Sequence, residues 1–185
     1  MSQPRIPAVD PAHTSGKTRD LLDGVQKMLG ATPNLFRTAA QSPAVLESLV
    51  GLFGATAHAS LRPSVRRALA MLVAETNGCE YCLSAHAYLG KSAGMSEAEI
   101  DRARDAASSD PKTAAILRFA RTLVVERGQV GDEAMRAVRA AGATDAEVLE
   151  IVAVVVLNVF TNYLNLVAQT EIDFPKISRR GPSQP

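Results

Sequence analysis

The sequence has no tryptophan, few aromatic residues and only two cysteines among its 185 residues. Because aromatic residues make up only 4% of the chain, a surface that stacks nucleic-acid bases is not expected. The chain also lacks an excess of either charge, since 20 Lys and Arg residues balance 19 Asp and Glu residues for a formal net charge of +1. Proteins that coat nucleic acids or anionic membranes need a basic surplus, so the sequence predicts neither partner.

Long hydrophobic runs are absent as well. No uninterrupted apolar run, 151–157 included, exceeds seven residues, whereas a membrane-spanning helix needs about twenty. The first eleven residues carry three prolines and no hydrophobic segment of the signal-peptide type. The sequence therefore predicts a soluble, cytoplasmic protein.

In the cytosol, two cysteines three residues apart are better explained by chemistry than by a structural disulfide, which would close a longer loop.

What is present is a series of helix signals, with no alternating strand pattern of useful length. The sequence predicts an all-α, single-domain helical bundle at 17–177, preceded by an extended N-terminal arm at 1–16 and followed by a flexible tail at 178–185. N-cap signals stand at Ser42, Ser96, Asp110 and Thr144. The predicted helices are 18–29, 34–41, 43–58, 63–76, 78–92, 97–108, 111–127, 132–141 and 145–168. The last of these is apolar on nearly all sides, so we expect it to be central or to lie in an oligomer interface.

One segment, residues 75–86, carries an evident chemical constellation. Asn77 is predicted to cap a new helix, which places Cys79 in its first turn, where the helix dipole favours a thiolate. Cys79, Cys82 and His86 fall within an arc of roughly 60° on such a helix, and His86 follows Cys82 at the i,i+4 spacing. Two thiols and a titratable base are the groups that peroxide reduction by a dithiol needs.

Other interpretations of the same residues remain open. Zinc could bind the two cysteines and His86, but a fourth ligand is missing. A c-type haem is excluded, because Leu83 rather than histidine follows Cys82. The cysteines could also be small apolar core residues. We predict no metal and no cofactor.

The string NGCEYCLSAH, followed later by FTNYLN at 160–165 and EIDFP at 171–175, resembles the alkylhydroperoxidase D-like branch of the carboxymuconolactone decarboxylase superfamily. The resemblance is strongest to its peroxidase-related proteins. It implies an all-helical fold, a homo-oligomer such as a trimer or hexamer, and detoxification of a small-molecule hydroperoxide with a dithiol as reductant. By that likeness Cys82 is the attacking thiol, Cys79 the resolving thiol and His86 the base that activates Cys82.

One position departs from the family pattern. Members usually carry a glutamate twelve residues before the first cysteine, as the outer member of a proton relay, and here that position is Arg67. Glu75 is the nearest acidic residue, and we expect it either to orient His86, directly or through water, or to be an ordinary solvated acid at a helix end. The charge of Arg67 would instead lower the pKa of a thiol.

Several polar residues have less definite roles in the sequence. Tyr81 and Tyr88 either line a substrate pocket or serve packing. Asn158, Asn162 and Asn165 form a polar stripe on an apolar helix, for which a structural role at an interface or loop is favoured.

Three functions follow from these residues. The first is a thiol-dependent hydroperoxide reductase with antioxidant activity. The second is a non-redox enzyme of the decarboxylase type that uses His86 as acid–base. The third is an oligomeric redox sensor without catalysis. The residues alone leave open which thiol has the lower pKa, because the helix dipole favours Cys79 and His86 favours Cys82.

Overall fold

The computed structural model describes residues 3–181, and within that range the chain is all-helical. Each of the nine predicted helices is present. Their bounds are α1 Gly16–Leu29, α2 Asn34–Ala39, α3 Pro43–Ala57, α4 Pro63–Thr76, α5 Glu80–Ser92, α6 Glu97–Arg104, α7 Pro111–Val125, α8 Asp132–Ala140 and α9 Asp145–Ala168. The expectation of an all-α single domain is confirmed.

Helix ends follow the capping signals with few exceptions. Ser96 and Thr144 form complete capping boxes with the glutamates three residues later. α6 ends four residues earlier than the predicted 108, because Ala106 takes a left-handed backbone conformation with φ +56°. No glycine marks that turn, so the sequence has no local signal for it.

The centre of the bundle is α4, which packs against α5, α6, α7 and α9. Because other helices surround α4 on nearly all sides, eight of its residues are buried. They are Val65, Ala68, Leu69, Ala70, Met71, Leu72, Val73 and Ala74. α9 is the second central helix and also contacts α2, α3, α5 and α7. The central position expected for α9 is therefore confirmed, and α4 shares it.

Helix α9 has two different faces. It is the one described helix that is long and apolar enough to cross a membrane by length and composition, and half of that stretch is buried inside the fold. Its inner face packs on α4, so it serves as a core helix here. Its outer face leaves apolar side chains such as Leu149, Val156 and Tyr163 exposed.

The segments outside the bundle are held by specific contacts. The N-terminal arm contains a short 3₁₀ helix, Pro11–His13, and its backbone amides at Arg5 and Val9 donate to the carbonyls of Ala168 and Arg37. Residues 178–180 of the predicted flexible tail contact α4 and α6. Residues 182–185 of that tail lie outside the described residues.

Candidate active site

The turn between α4 and α5 builds the cysteine site. α4 ends at Thr76, Gly78 takes the left-handed conformation with φ +68°, and α5 begins at Glu80. The predicted N-cap, Asn77, is wrong. Cys79 caps α5 instead, with its Sγ atom accepting from the backbone N–H of Cys82 at 3.3 Å. The site is therefore fixed by the backbone geometry of a helix start.

The two thiols are buried and in contact. Cys79 is 1% exposed and Cys82 is 3% exposed. Both cysteines are free, and the Sγ of Cys79 donates to the Sγ of Cys82 at 2.7 Å. A pair so close can form a disulfide with a change of side-chain torsions alone, because the CxxC backbone already brings the two sulfurs together.

Helix α9 supplies a polar shell around the thiols. The side-chain amide of Asn165 donates to the Sγ of Cys82 at 3.3 Å. One turn earlier, Asn162 accepts from the side-chain amide of Asn77 at 2.9 Å, which ties α9 to the α4–α5 turn. The asparagine stripe, interpreted from sequence as structural, thus contributes two residues to the candidate site. Its signal was the i, i+4, i+7 spacing of amides on an apolar helix.

The groups around the two thiols shift their pKa values in opposite directions. Burial opposes ionisation of Cys82, yet the hydrogen bonds from Cys79 and Asn165, with the polar side chains of Asn162 and Thr161 nearby, hold the pKa of that thiol below its ordinary value. The hydrogen bond to Cys82 and burial raise the pKa of Cys79, which stays protonated. Cys82 is therefore the more acidic of the two thiols, and the side chains that lower its pKa come from Cys79 and α9 rather than from His86.

His86 lies one turn beyond Cys82 on α5 and is partly buried. Within residues 3–181 no hydrogen bond joins it to either cysteine. Burial and the charge of Arg67 lower the pKa of His86 to about 4, against a smaller opposing effect of Asn158. The imidazole is therefore neutral near pH 7. Its predicted role as the base for Cys82 stays a prediction.

His86 also lines a cavity of its own. That cavity, of about 270 Å³, is bounded by Arg67 and Asn158 and by apolar side chains including Phe53 and Leu157. The charge of Arg67, expected from sequence to act on a thiol, acts on His86 instead.

The carboxylate of Glu75 is hydrogen-bonded to arginines away from His86. One carboxylate oxygen accepts from the Nε of Arg104 at 2.6 Å, and the other accepts from the backbone N–H of Arg180, also at 2.6 Å. The side chains of Glu75 and Arg104 are only 11% and 8% exposed. A solvated helix-end acid is therefore the wrong description of Glu75. Since both oxygens are occupied, no described contact supports its predicted catalytic role toward His86.

A cleft of about 360 Å³ opens onto the cysteine pair. Cys79 lines the cleft, whereas Cys82 lies behind it beside Asn165. The lining residues come from the α4–α5 turn, the end of α9 and the segment after it: Asn77, Gly78, Cys79, Glu80, Tyr81, Asn165, Leu166, Gln169, Thr170, Ile172 and Arg179. The volume is suited to a small organic molecule.

The two tyrosines of α5 differ in environment. Tyr81 lines the cleft, its hydroxyl accepts from the backbone N–H of Leu35 at 3.0 Å, and burial raises its pKa. Tyr88 is exposed and packs against Phe174. Tyr81 is therefore both a packing residue and part of the cleft wall.

Other features of the described chain carry less chemistry. A larger groove of about 630 Å³ lies between α7 and α8, but neither cysteine nor histidine lines it. Within residues 3–181, no group of three or more His, Cys, Asp and Glu side chains is arranged to hold a metal ion.

Solved structures of other proteins share this fold over nearly the whole chain. An uncharacterized peroxidase-related protein with an alkylhydroperoxidase AhpD core, from Ralstonia eutropha JMP134, is 22% identical, with a TM-score of 0.82 and 92% of each chain covered. A peroxidase-related protein from Silicibacter sp. TM1040 is 19% identical, with a TM-score of 0.78 over 92% of this chain and 94% of its own. A cysteine-to-alanine variant of the debrominase Bmp8, in complex with 2,3,4-tribromopyrrole, is 19% identical, with a TM-score of 0.78 and 91% of each chain covered.

The sequence itself places the cysteine turn in a known family. Residues 43–125, from α3 to the end of α7, match the model of the carboxymuconolactone decarboxylase family. This match across the cysteine turn, together with the shared fold, supports the resemblance to the alkylhydroperoxidase D-like and carboxymuconolactone decarboxylase superfamily. No curated protein matches the sequence. The resemblance stated from the cysteine motif is therefore confirmed.

The structure also shows where Arg67 lies, at the position where the superfamily that the chain resembles usually carries a relay glutamate. Arg67 lies on α4 beside His86 and lines the same cavity. A cation thus stands where the superfamily usually has an anion, and it disfavours the imidazolium instead of stabilising it.

Replacing Asn165 with alanine is expected to raise the pKa of Cys82. The substitution removes an amide that donates to the thiolate and leaves the burial that opposes ionisation. The measurement is the ultraviolet absorbance of the thiolate across a pH titration of the reduced protein. Asn158→Ala is the matched control. It also removes an asparagine side chain from α9, but that side chain lies beside His86 rather than beside Cys82. A thiol titration that is identical in N165A and wild type would contradict this assignment.

Replacing Arg67 with glutamine is expected to raise the pKa of His86 from about 4 toward its ordinary value, since a repelling charge is removed. Arg67→Glu, which supplies the acid usual in the superfamily, is expected to raise it further. NMR titration of the imidazole protons measures both, with His13 and His58 as internal controls. An unchanged His86 titration in both variants would show that Arg67 does not act on it.

Proposed function

We propose that this protein is a thiol-dependent hydroperoxide reductase that cycles Cys79 and Cys82 between dithiol and disulfide. The observation that carries the proposal is the pair of thiols in contact at 2.7 Å beside a cleft of about 360 Å³, with Cys82 surrounded by hydrogen-bond donors. An enzyme of the non-redox decarboxylase type needs no second thiol, so the pair favours a redox reaction.

In the first step, the Cys82 thiolate attacks the O–O bond of the hydroperoxide. An S–O bond forms as the O–O bond breaks, and the alkoxide leaves and takes up a proton to become the alcohol. Cys82 is then a sulfenic acid, oxidised by two electrons as the peroxide is reduced by two. His86, neutral near pH 7, is the proposed carrier of the proton that Cys82 loses and the alkoxide gains.

In the second step, the Cys79 sulfur attacks the sulfenic sulfur of Cys82. The S–S bond forms, and hydroxide leaves as water with the proton that Cys79 held. The raised pKa of Cys79 suits this order, because the resolving thiol stays protonated until Cys82 has reacted. An external dithiol then reduces the disulfide by exchange, which returns both thiols.

Cys79 also lies on the path by which substrate and reductant reach the thiol pair. Since Cys79 lines the cleft and Cys82 lies behind it, the hydroperoxide reaches Cys82 by passing Cys79 and Asn165. Disulfide formation then places the oxidised pair at the cleft, where an exchanging dithiol meets Cys79 first. We propose that this cycle serves antioxidant defence in the cytoplasm.

The test is thiol labelling with intact mass. Reduced protein treated with one equivalent of a small organic hydroperoxide is expected to lose both labelling sites and about two mass units, for two hydrogens. Cys82→Ser is expected to abolish peroxide consumption, whereas Cys79→Ser consumes one equivalent and leaves a sulfenic acid that a dimedone-type reagent traps. Equal residual activity in the two variants would contradict these roles. Persistence of both thiols for many minutes would overturn the peroxidase proposal and favour acid–base chemistry at His86.

We also propose that the protein is a homo-oligomer paired through the outer face of α9. Apolar residues recur on that face at the 3,4 spacing of helices that pack along a shared seam: Leu149, Val152, Val156, Val159, Tyr163 and Leu166. A second copy of the same helix offers a matching apolar surface, as a two-fold interface requires.

Replacing Val156 with glutamate is expected to break this association. Val156 is 53% exposed in the single chain, so the charge costs little there, but it would be buried without a partner between two copies. Val125→Glu is the matched control, at a valine 56% exposed on α7. Sedimentation equilibrium is expected to give a multiple of 19.6 kDa for wild type and V125E, and a mass shifted toward 19.6 kDa for V156E. A monomeric wild type would contradict the proposal.

A further inference from the structure

The segment after α9 forms one wall of the cysteine cleft and is anchored along its length. The backbone N–H of Ile177 donates to the Oγ of Ser84 at 2.9 Å, and Lys176 pairs with Glu80 at 3.1 Å. Arg180 pairs with Asp105 at 2.7 Å. Residue 179, between these anchors, is therefore held in a defined position beside the cleft.

Arg179 lies directly over the turn that precedes the first cysteine. A Cβ atom placed on Gly78 would stand 3.1 Å from the Nη1 of Arg179 and 3.4 Å from its Cδ. The guanidinium thus rests against the bare backbone of Gly78, next to Cys79, and a larger residue at position 78 would displace it. The left-handed φ of +68° at Gly78 favours glycine there independently.

The charge of Arg179 is uncompensated in the described chain. Within residues 3–181 it makes no ion pair or hydrogen bond, whereas its neighbour Arg180 pairs with two aspartates. The acid that shares the cleft wall, Glu80, is already paired with Lys176. A half-buried guanidinium with all its donors free is suited to bind a carboxylate in bidentate geometry.

Two buried polar atoms in the cleft lining lack partners as well. The Oδ1 of Asn165 and the Oγ1 of Thr170 accept or donate no hydrogen bond to any part of the described chain. Both residues are buried and both line the cleft that Cys79 lines. A hydroperoxide group, which donates one hydrogen bond and accepts others, can satisfy them, because an amide oxygen accepts and a hydroxyl donates. Unpaired buried polar atoms are costly, so their presence points to a ligand.

We infer that Arg179 is a specificity residue and that the cleft takes small organic hydroperoxides bearing a carboxylate. The carboxylate binds the guanidinium of Arg179, and the hydroperoxide group reaches Asn165 and Thr170 beside the thiols. This inference rests on the proposed reductase function. The cleft volume of about 360 Å³ limits the substrate to a short chain.

The test compares a short aliphatic hydroperoxy acid with its methyl ester, in the wild type and in Arg179→Gln. The wild type is expected to favour the acid, and R179Q is expected to lose about tenfold or more in kcat/KM for the acid, mostly through KM, with little change for the ester. Arg121→Gln, which removes an exposed charge on α7 that has no described ion pair, is the matched control and is expected to behave as wild type. Arg179→Lys is expected to recover only part of the loss, because an ammonium cannot bind the carboxylate in bidentate fashion.

A binding measurement separates this inference from the reductase proposal. The hydroxy acid made by reduction of the same substrate is titrated calorimetrically into reduced wild type and R179Q. Binding to wild type that is lost in R179Q supports the carboxylate site even where no turnover occurs. Equal turnover of acid and ester in wild type, together with unchanged kinetics and binding in R179Q, overturns the role of Arg179 and leaves the reductase proposal intact. Absence of hydroxy-acid binding to wild type, with no turnover of either peroxide, overturns both.

Discussion

Two amide hydrogen bonds join α9 to the α4–α5 turn and to the first turn of α5, and the cysteine site depends on them. Asn77 donates to Asn162 at the partly buried turn, and Asn165 donates to Cys82 in the buried core. Leaving such a buried group unpaired costs about 1–3 kcal/mol. Any other placement of α9 against the turn would incur that cost, so the two bonds fix where the thiols lie.

The same contacts set the chemistry of the pair. Donors concentrated on one sulfur lower the pKa of Cys82, and a neighbouring ionisable sulfur raises the pKa of Cys79. Helix α9 does this with neutral amides, which stabilise a thiolate without adding a full charge to the core. The site therefore does not need a protonated histidine beside Cys82, and His86 is free to stay neutral next to Arg67.

Charged residues around the site have separate structural and functional roles. The nearly buried pair of Glu75 and Arg104 ties α4 to α6 and, through the backbone of Arg180, to the segment after α9. Removing one member of such a pair is strongly destabilising, because it leaves the other charge buried alone. Arg179, adjacent to this anchored network but unpaired in the described chain, is left available to a ligand at the cleft.

Much of the fold was predictable, because helix starts are encoded locally. Ser96 and Thr144 cap their helices as their sequence neighbourhoods indicate, and the apolar residues on nearly all sides of α9 indicated its central position. The exceptions arise where a distant partner outweighs the local rule. Asn77 is a good N-cap by propensity, yet its side chain bonds Asn162, 85 residues away, and Cys79 takes the cap.

The sequence by itself determined the helices, the CxxC pair at a helix start and the position of His86 one turn later, since all three depend on contacts within a few residues. Only the tertiary structure decided which groups surround each of them. It set Asn165 beside Cys82, Arg67 beside His86, Glu75 against Arg104 and Arg179 over Gly78. These contacts join residues 19 to 101 positions apart, and no local periodicity encodes the packing of one helix against another.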